Sequence, residues 1–194
     1  ANGKFISFGF AAGADFQAVN VLEAPLSISF TLEAKGQSHH VGLAVPGRHN
    51  VANALAALAA ADVLGIPLDR AVAAIGRYMG LARRFEILGN ANGITVIDDF
   101  GHNPDKISAT LDTLKAFPGR VIAFFQPHGF GPLRVMGKEL ADVFAAKLDA
   151  NDRLFLCDPV YFGGTTDKSI GSDFVIDRVN QAGAVPALHI PDRE

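Results

Sequence analysis

Hydrophobic and polar residues alternate along the first part of the chain, which is the pattern of half-buried β-strands. Residues 5–10 predict one strand, residues 26–32 a second and residues 41–45 a third. Turn-forming residues at 35–38 separate the second strand from the third. The pattern therefore predicts a β-hairpin made of these two strands.

The pattern becomes helical after residue 46, where the chain is rich in alanine. Alanine is the best helix former and asparagine is a preferred helix cap, so Asn50 is predicted to cap a helix over residues 51–64. Residues 65–67, Gly-Ile-Pro, are predicted to end this helix. Asp69 is predicted to begin a second helix that ends near residue 80.

Strand and helix patterns alternate from residue 87 onward. Strands are predicted over residues 94–97, 121–125, 154–157 and 185–190, and helices over residues 105–117, 135–148 and 173–182. Short buried strands separated by such helices indicate an α/β fold with a parallel sheet and right-handed crossovers. The loop at residues 81–86 is the natural joint between the two halves, so a domain boundary is predicted at about residue 85.

The composition describes a soluble globular protein, because 49% of its 194 residues are hydrophobic and 19% are charged. The net charge of -3, without a basic block, argues against nucleic-acid binding. No apolar run reaches the roughly 18 residues of a membrane helix. The one cysteine, Cys157, cannot form an internal disulfide and is predicted to be a small buried thiol, as is usual in a cytoplasmic protein.

The first candidate site lies at the predicted helix start, which carries His49, Asn50 and Asn53. The two asparagines are three residues apart and therefore project along nearby directions from the first turn. Amide side chains offer both a donor and an acceptor, which suits the edge of a purine base. The alternative is helix capping with one further polar contact, and the spacing by itself favours that alternative.

The second candidate site is the pair Arg83 and Arg84 in the predicted joint. A guanidinium group binds phosphate through a planar fork of donors, and an arginine in such a loop can reach across a cleft. The alternative is a surface arginine that pairs with Glu86.

The third candidate site is residues 98–104, which follow a predicted strand. Ligands usually bind at strand ends in open α/β sheets, and carboxylates there bind ribose hydroxyls or a metal. Adjacent residues of a strand point to opposite faces, so at most one of Asp98 and Asp99 faces a ligand. In the alternative interpretation Asn103 caps the next helix, Pro104 lies in its first turn and Asp98 is a surface charge.

The fourth candidate site is residues 126–134, a glycine-rich stretch that carries His128 and Arg134 and follows another predicted strand. The predicted topology brings this loop to the same sheet edge as the third site. A histidine on its own is usually structural, but the two loops together indicate a small-molecule site.

Two nucleotide- and metal-binding patterns are missing from the sequence. There is no zinc-ligand spacing and no Gly-x-x-x-x-Gly-Lys-[Ser/Thr] phosphate loop. Any ATP chemistry therefore needs residues outside this sequence.

Four segments, in order, resemble the Mur ligase family, the ATP-dependent amino-acid ligases of peptidoglycan synthesis. They read "VPGRHNVANALAALAAADVLGI", "GLARRFEILG", "GITVIDDFGHNP" and "FFQPH", and the resemblance is strongest to the branch that adds alanine or recycles a murein tripeptide. It implies an N-terminal UDP-substrate domain, a central ATPase domain with the phosphate loop and a C-terminal Rossmann-like domain. Residues 1–85 would be the end of the central ATP-binding domain, and residues 86–194 most of the C-terminal domain.

The resemblance also implies a reaction, which uses ATP and Mg²⁺. A UDP-muramyl-type carboxylate is activated as an acyl phosphate, and the amine of an amino acid or peptide attacks it to form an amide. The partners implied are the acceptor, the amino acid or peptide, and the rest of the ligase chain. The fragment alone is expected to be inactive because it lacks the phosphate loop.

Residue roles follow from the matching motifs. The residues that match nucleotide-associated positions, the first three near the adenine and the last two near the ribose, are His49, Asn50, Asn53, Asp99 and His102. Arg84 matches the arginine of the RFE motif, which contacts the nucleotide when the domains close. His128 falls in the loop associated with the incoming amino acid or peptide, and Arg84 and His128 are the catalytic candidates.

One departure concerns the loop after the QPH motif. Alanine-adding members of the family typically continue with Arg-Tyr-Thr-Arg, whereas residues 129–134 read Gly-Phe-Gly-Pro-Leu-Arg. Arg134 is then the one nearby cation that could hold a substrate carboxylate, and the amino acid that is added stays open. The alternatives are a folylpolyglutamate synthase-like ligase with another acceptor and a noncatalytic nucleotide-binding module.

Overall fold

The structure, a computed structural model, describes residues 5–160, 165 and 167–191. Contacts divide the chain into two compact units, unit 1 (Ala1–Asp99) and unit 2 (Phe100–Glu194). The domain boundary near residue 85 concerns a longer protein and stays a prediction. No helix among the described residues is both long and apolar enough to cross a membrane.

Unit 1 consists of a four-stranded sheet, two helices and a separate two-stranded hairpin. Its elements are β1 (Phe8–Gly9), β2 (Phe16–Ala24), β3 (Ser27–Ala34), β4 (Gln37–Leu43), α1 (Arg48–Val63), α2 (Leu68–Ile75), β5 (Glu86–Ala91) and β6 (Ile94–Asp98). The sheet order is β1-β2-β3-β4, in which β1 runs parallel to β2 and the other neighbours are antiparallel.

The core of unit 1 lies where β3 packs with α1. Every second residue of β3 is buried, and α1 buries residues at the three- and four-residue spacing of an amphipathic helix. The largest of these buried side chains are Ile28, Phe30, Leu32, Val51, Leu55 and Leu58. The predicted β-hairpin is confirmed as β3–β4, and its turn places Lys35 and Gly36 at φ values of 52° and 72°.

The strands before that hairpin differ from the prediction. Only Phe8–Gly9 of the strand predicted over residues 5–10 forms a ladder, and just before it the backbone N–H of Ser7 donates to the Asp15 carboxylate at 2.8 Å rather than to a neighbouring strand. Strand β2 was not predicted at all. Asn20 has a φ of 50° and lies at a register shift, which breaks the alternation that marks a strand.

The predicted helices of unit 1 are present, but their ends differ. Helix α1 begins at Arg48 with Gly47 as its N-cap, so the prediction that Asn50 caps the helix is wrong. Gly47 has a φ of 93°, which a glycine adopts without strain and which turns the chain into the helix. Helix α2 ends at Ile75 rather than near residue 80.

The strand predicted over residues 94–97 is present as β6, but it is not a buried strand of a parallel sheet. It pairs antiparallel with β5 in a two-stranded sheet, and Ile94 and Val96 are exposed. Asn92 and Gly93, at φ values of 52° and 77°, form the two-residue turn that closes this hairpin.

Unit 2 confirms the predicted α/β fold with a parallel sheet. Its elements are α3 (Pro104–Lys115), β7 (Ile122–Phe125), α4 (Phe130–Lys147), β8 (Arg153–Leu156), α5 (Ser172–Ala182) and β9 (Ala187–His189). The three strands are parallel in the order β7-β8-β9. On one face of β7, Ala123 and Phe125 pack against the helical core, whereas Ile122 and Phe124, expected to be buried, are exposed.

A buried carboxylate holds the amino end of this sheet. Asp152, which immediately precedes β8, is 0% exposed and accepts hydrogen bonds from the backbone N–H groups of Val121 and Asp149 at 2.7 and 2.9 Å. Lys115 Nζ at the end of α3 donates to it at 2.8 Å. Burial alone would raise the pKa of Asp152, but these hydrogen bonds outweigh it and lower the pKa.

Candidate functional site

The start of α1 presents the first group of predicted site residues in unit 1. The turn at Gly47 leaves the imidazole of His49 and, one helical turn later, the amide of Asn53 exposed. Asn50 is half-buried, and its Nδ2 donates to the carbonyl oxygen of Pro46 at 2.7 Å. This hydrogen bond uses the amide nitrogen of Asn50 and leaves its Oδ1 as an acceptor. The three residues therefore offer an imidazole, an amide and an amide oxygen to a ligand.

Asp99 acts electrostatically on His49. Desolvation by neighbouring atoms lowers the pKa of His49, and the negative charge of Asp99 partly opposes this by raising it. The two residues were predicted to be in different clusters, and the structure brings them close enough for their charges to interact. Both match nucleotide-associated positions of the family, so this end of unit 1 gathers most of the residues proposed to bind the nucleotide.

The two arginines occupy a strained turn. Arg83 and Phe85 have φ values of 59° and 52°, and the Phe85 side chain is buried. Glu86 accepts a hydrogen bond from the backbone N–H of Arg83 at 2.7 Å, while Arg83 Nε lies 3.7 Å from a carboxylate oxygen of Asp98. Arg83 thus contacts Glu86 through its backbone and Asp98 through its side chain, and the alternative of a surface arginine paired with Glu86 stays open. Arg84 is exposed on the same turn.

The third group continues into unit 2 at the start of α3. Asn103 caps the helix, since its Oδ1 accepts from the backbone N–H of Lys106 at 3.0 Å, and Pro104 is the first helical residue. The capping interpretation is confirmed for these two residues. His102 lies just before the cap, with its Nδ1 3.0 Å from the carbonyl oxygen of Phe100.

The ring of Phe100 joins the third and fourth groups. Its centroid lies 5.3 Å from the His102 ring and 6.4 Å from the His128 ring, which it meets edge-on. The sequence predicted that a shared parallel sheet would bring these loops together. In the structure β6 forms a two-stranded sheet with β5, and within unit 2 the loops of His102 and His128 meet at the Phe100 side chain.

The fourth group is shorter than predicted. Helix α4 begins at Phe130, so the loop is limited to residues 126–129, and Arg134 lies in the first turns of the helix. Arg134 Nη1 donates to Asp167 Oδ2 at 2.8 Å, and both side chains are about half exposed. The guanidinium predicted to hold a substrate carboxylate is therefore paired with a carboxylate of the protein itself.

Sequence reasoning missed an aspartate–histidine pair at the carboxyl ends of the parallel strands. His189 Nε2 lies 2.8 Å from Asp158 Oδ1, and Gln126 Nε2 donates to the backbone carbonyl oxygen of Asp158 at 3.1 Å. Gln126 follows β7, Asp158 comes shortly after β8 and His189 ends β9. The rule that ligands bind at strand ends could have found them, had it been applied to every strand rather than to the two richest loops.

The described part of the chain contains no group of three or more His, Cys, Asp or Glu side chains arranged to hold a metal ion. A Mg²⁺ ion that accompanies ATP is commonly held largely by phosphate oxygens and water.

Unit 2 has the architecture of α/β proteins that bind small molecules at the carboxyl edge of a parallel sheet. A family model described as "Mur ligase, glutamate ligase domain" matches residues 83–194, and one described as "Mur ligase middle domain" matches residues 1–61. The first match covers more than half of the chain, so the chain belongs to the Mur ligase family. The predicted family is thereby confirmed.

Similar curated proteins carry the name UDP-N-acetylmuramate–L-alanine ligase. The one from Geobacter sp. (strain M21) is 36% identical over 194 residues, which are 98% of this chain and 41% of that protein. The one from Caldanaerobacter subterraneus subsp. tengcongensis is 35% identical over 193 residues, 97% of this chain and 41% of that protein. The chain thus spans 41% of the length of these curated relatives.

Solved structures agree with the fold. UDP-N-acetylmuramate-alanine ligase from Thermotoga maritima superposes with a TM-score of 0.72 at 26% identity, over 95% of this chain and 39% of that one. Folylpolyglutamate synthase from Mycobacterium tuberculosis, complexed with ADP, superposes with a TM-score of 0.63 over 91% of this chain and 38% of that one. At 17% identity, the second likeness shows the fold alone.

Proposed function

We propose that this chain is part of an ATP-dependent ligase that joins a UDP-N-acetylmuramate-type carboxylate to an amino acid or peptide. The carboxylate oxygen attacks the terminal phosphorus of ATP and releases ADP, which leaves an acyl phosphate. The amine nitrogen then forms a bond to the acyl carbon, and phosphate leaves as the carbon–oxygen bond breaks. ATP supplies the phosphoryl group, and Mg²⁺ neutralises its charge during transfer.

The observation that carries the proposal is the position of Phe100 between His102 and His128. A ligase of this kind makes its acyl phosphate beside the nucleotide and consumes it where the amine binds. His102 matches a nucleotide-associated position of the family and His128 an amine-associated one, and one ring contacts both. The names of the relatives support the same chemistry.

The nucleotide would be held by the residues that match the nucleotide-associated positions of the family. His49, Asn50 and Asn53 would bind the base, while Asp99 and His102 would bind the ribose. Exposed hydrogen-bonding groups at the start of α1 and the charge of Asp99 next to His49 suit these roles. Arg84 would contact the phosphates through its donor fork, and the Mg²⁺ ion is assigned no ligand in this chain.

The test is phosphate release by the full-length protein, supplied with ATP, Mg²⁺, UDP-muramyl acceptors and a panel of amino acids and peptides. We expect release to depend on one acceptor and one amine together. Release with a folate-type acceptor and glutamate instead would favour the folylpolyglutamate synthase-like alternative. No release with any pair would favour a noncatalytic nucleotide-binding module.

Arg84→Ala tests the site itself. We expect turnover to fall by about 100-fold because a donor to the transferring phosphoryl group is lost. Arg77→Ala is the matched control, since Arg77 is an exposed arginine of the same unit, and its turnover should equal that of the wild type. Wild-type turnover in Arg84→Ala would remove Arg84 from the site.

Residues 1–194 alone should neither hydrolyse ATP nor form an amide, because the sequence contains no phosphate loop. Purified chain of this length, assayed with the substrates that the full-length protein uses, gives the measurement. Amide formation by this chain would contradict the prediction that the reaction needs a phosphate loop outside residues 1–194.

A further inference from the structure

The aspartate–histidine pair at the carboxyl edge of the parallel sheet is absent from the family motifs that identify the site residues. Asp158 lies shortly after β8 and His189 is the last residue of the neighbouring strand β9, and their side chains are 40% and 29% exposed. Solvent and a small ligand can therefore reach both. They share the sheet edge with the loop that carries His128.

The backbone around the pair is fixed by hydrogen bonds. The carbonyl oxygen of Asp158 accepts a hydrogen bond from Gln126 Nε2 at 3.1 Å. The backbone N–H of Asp158 donates to the carbonyl oxygen of Pro191 at 3.4 Å. Ile190, which follows the histidine, donates its N–H to Leu156 at 2.8 Å. The two side chains therefore meet in a preset geometry rather than on mobile loops.

The hydrogen bond determines which imidazole nitrogen is basic. An ionised carboxylate only accepts hydrogen bonds, so Asp158 favours the tautomer of His189 that carries its proton on Nε2. The lone pair then lies on Nδ1, and no described residue forms a hydrogen bond with that atom. A histidine oriented by a carboxylate in this manner is the arrangement of a general base.

The chemistry of the pair itself suits a cationic ligand, because a carboxylate and a neutral imidazole both accept hydrogen bonds. Arg134, the arginine nearest in sequence to the His128 loop, is already paired with Asp167 at 2.8 Å. The edge thus offers a carboxylate and an imidazole rather than a guanidinium that could take a substrate carboxylate. An ammonium group is the partner that these two groups suit.

We propose that His189, oriented by Asp158, takes a proton from the ammonium group of the incoming amino acid or peptide; the inference rests on the ligase function proposed above. The N–H bond of the ammonium breaks and its proton moves to Nδ1 of His189. The neutral amine nitrogen forms the bond to the acyl carbon, phosphate leaves with the electron pair of the broken carbon–oxygen bond, and the second N–H proton passes to solvent. His189 is then a catalytic residue and Asp158 a positioning residue.

Hydroxylamine separates this step from the rest of the reaction, because it is largely uncharged near neutral pH and attacks an acyl phosphate without prior deprotonation. The full-length protein is assayed twice, once with the amine found in the phosphate-release screen and once with hydroxylamine, which yields a hydroxamate. For His189→Ala and His189→Gln we expect amide formation to fall about 100-fold, while hydroxamate formation stays within about twofold. Asp158→Ala should show the same pattern with a smaller loss.

Two substitutions away from the Asp158–His189 pair serve as controls. His40→Ala changes an exposed histidine of β4, and Asp142→Ala changes an exposed aspartate of α4 that pairs with Arg178. Neither substitution should alter the rate of amide or of hydroxamate formation. Equal losses of amide and hydroxamate in the His189 variants, or no loss in either, would overturn the role of His189. If the wild type forms no hydroxamate from any acceptor, the proposed ligase function itself fails, and this result is distinct from the first two.

Discussion

The parallel sheet of unit 2 carries an aspartate with a basic partner at each end, and the two carboxylates differ in solvent exposure and in their hydrogen bonds. At the amino end, Asp152 is 0% exposed and accepts hydrogen bonds from two backbone N–H groups and from Lys115. At the carboxyl end, Asp158 is 40% exposed and its carboxylate meets His189. The first carboxylate is enclosed by the protein, and the second is presented to solvent.

This difference separates stability from chemistry within one small sheet. A buried carboxylate with several donors is costly to disturb, because removal leaves the donors unpaired in the interior. A half-exposed pair contributes little to folding, yet it leaves lone pairs that a ligand can reach. The predictions below test how far the two ends differ, beginning with the largest effect.

Removal of the buried carboxylate should have the largest effect. For Asp152→Ala we expect a loss of about 2–4 kcal/mol of unfolding free energy, because two backbone N–H groups lose their acceptor, while Lys115 keeps its hydrogen bond to Asp149. Urea unfolding followed by circular dichroism measures it. Asp142→Ala is the matched control, since Asp142 pairs with Arg178 at 3.2 Å on the surface, and it should lose less than about 1 kcal/mol. Similar losses in both variants would erase the contrast.

Acid should remove the same contribution without a mutation. The folded-state pKa of Asp152 is held below its ordinary value of 3.8, so its contribution is complete above that value and is lost as pH falls through the lower folded pKa. We expect the gap between wild type and Asp152→Ala to narrow as pH falls from about 5 to below 3.8. Lys115 stays charged throughout this acid range, because its hydrogen bonds to Asp149 and Asp152 raise its pKa above 10.5; its contribution to the unfolding free energy is lost only as pH rises beyond that value. Urea unfolding midpoints of wild type and Asp152→Ala, recorded across the acid range, provide the measurement. A difference in stability between the two proteins that stays constant as pH falls would contradict the prediction.

A buried hydroxyl near the carboxyl end should have an intermediate effect. Ser172 is fully buried, and its Oγ donates to the carbonyl oxygen of Cys157 at 2.6 Å. Ser172→Ala should cost about 1–2 kcal/mol, measured by the same urea transition. Ser38→Ala, at an exposed serine of β4, should be neutral. A neutral Ser172→Ala would mean that the carboxyl end depends on other contacts for its stability.

The smallest effect on folding is expected for the exposed pair itself. Asp158→Ala should change the unfolding free energy by less than about 1 kcal/mol, because water competes for a hydrogen bond between two partly exposed side chains. If the loss instead matched that of Asp152→Ala, the carboxyl end would be a structural clamp, and the contrast between the two ends would be wrong.

The regular parts of the fold were predictable from the sequence, and the irregular parts were not. The alternation of Ile28, Phe30 and Leu32 predicts a strand because every second side chain faces the core, and β3 confirms it. Strand β2 escaped because Asn20 interrupts its alternation. The apolar run at 94–97 looked like a buried strand, since an antiparallel hairpin exposed on one side has the same short pattern.

The candidate site was predictable as a set of strand-end and helix-start residues, but its internal geometry was not. The cap at Asn103 follows from local chemistry, so the sequence predicts it. Three of the site's interactions join residues distant in the chain: Asp99 with His49, Phe100 with His128, and Asp158 with His189. Such pairs depend on tertiary packing, for which a single sequence has no periodic signal.

Cys157 makes the opening of the parallel sheet measurable without any mutation. It is the one cysteine of the chain, its side chain is 0% exposed, and its backbone N–H donates to the carbonyl oxygen of Phe125 on the neighbouring strand. A thiol reagent can reach the sulfur only when β8 separates from its surroundings. The rate of covalent labelling therefore reports how often the sheet opens, in a purified sample or in a cell extract.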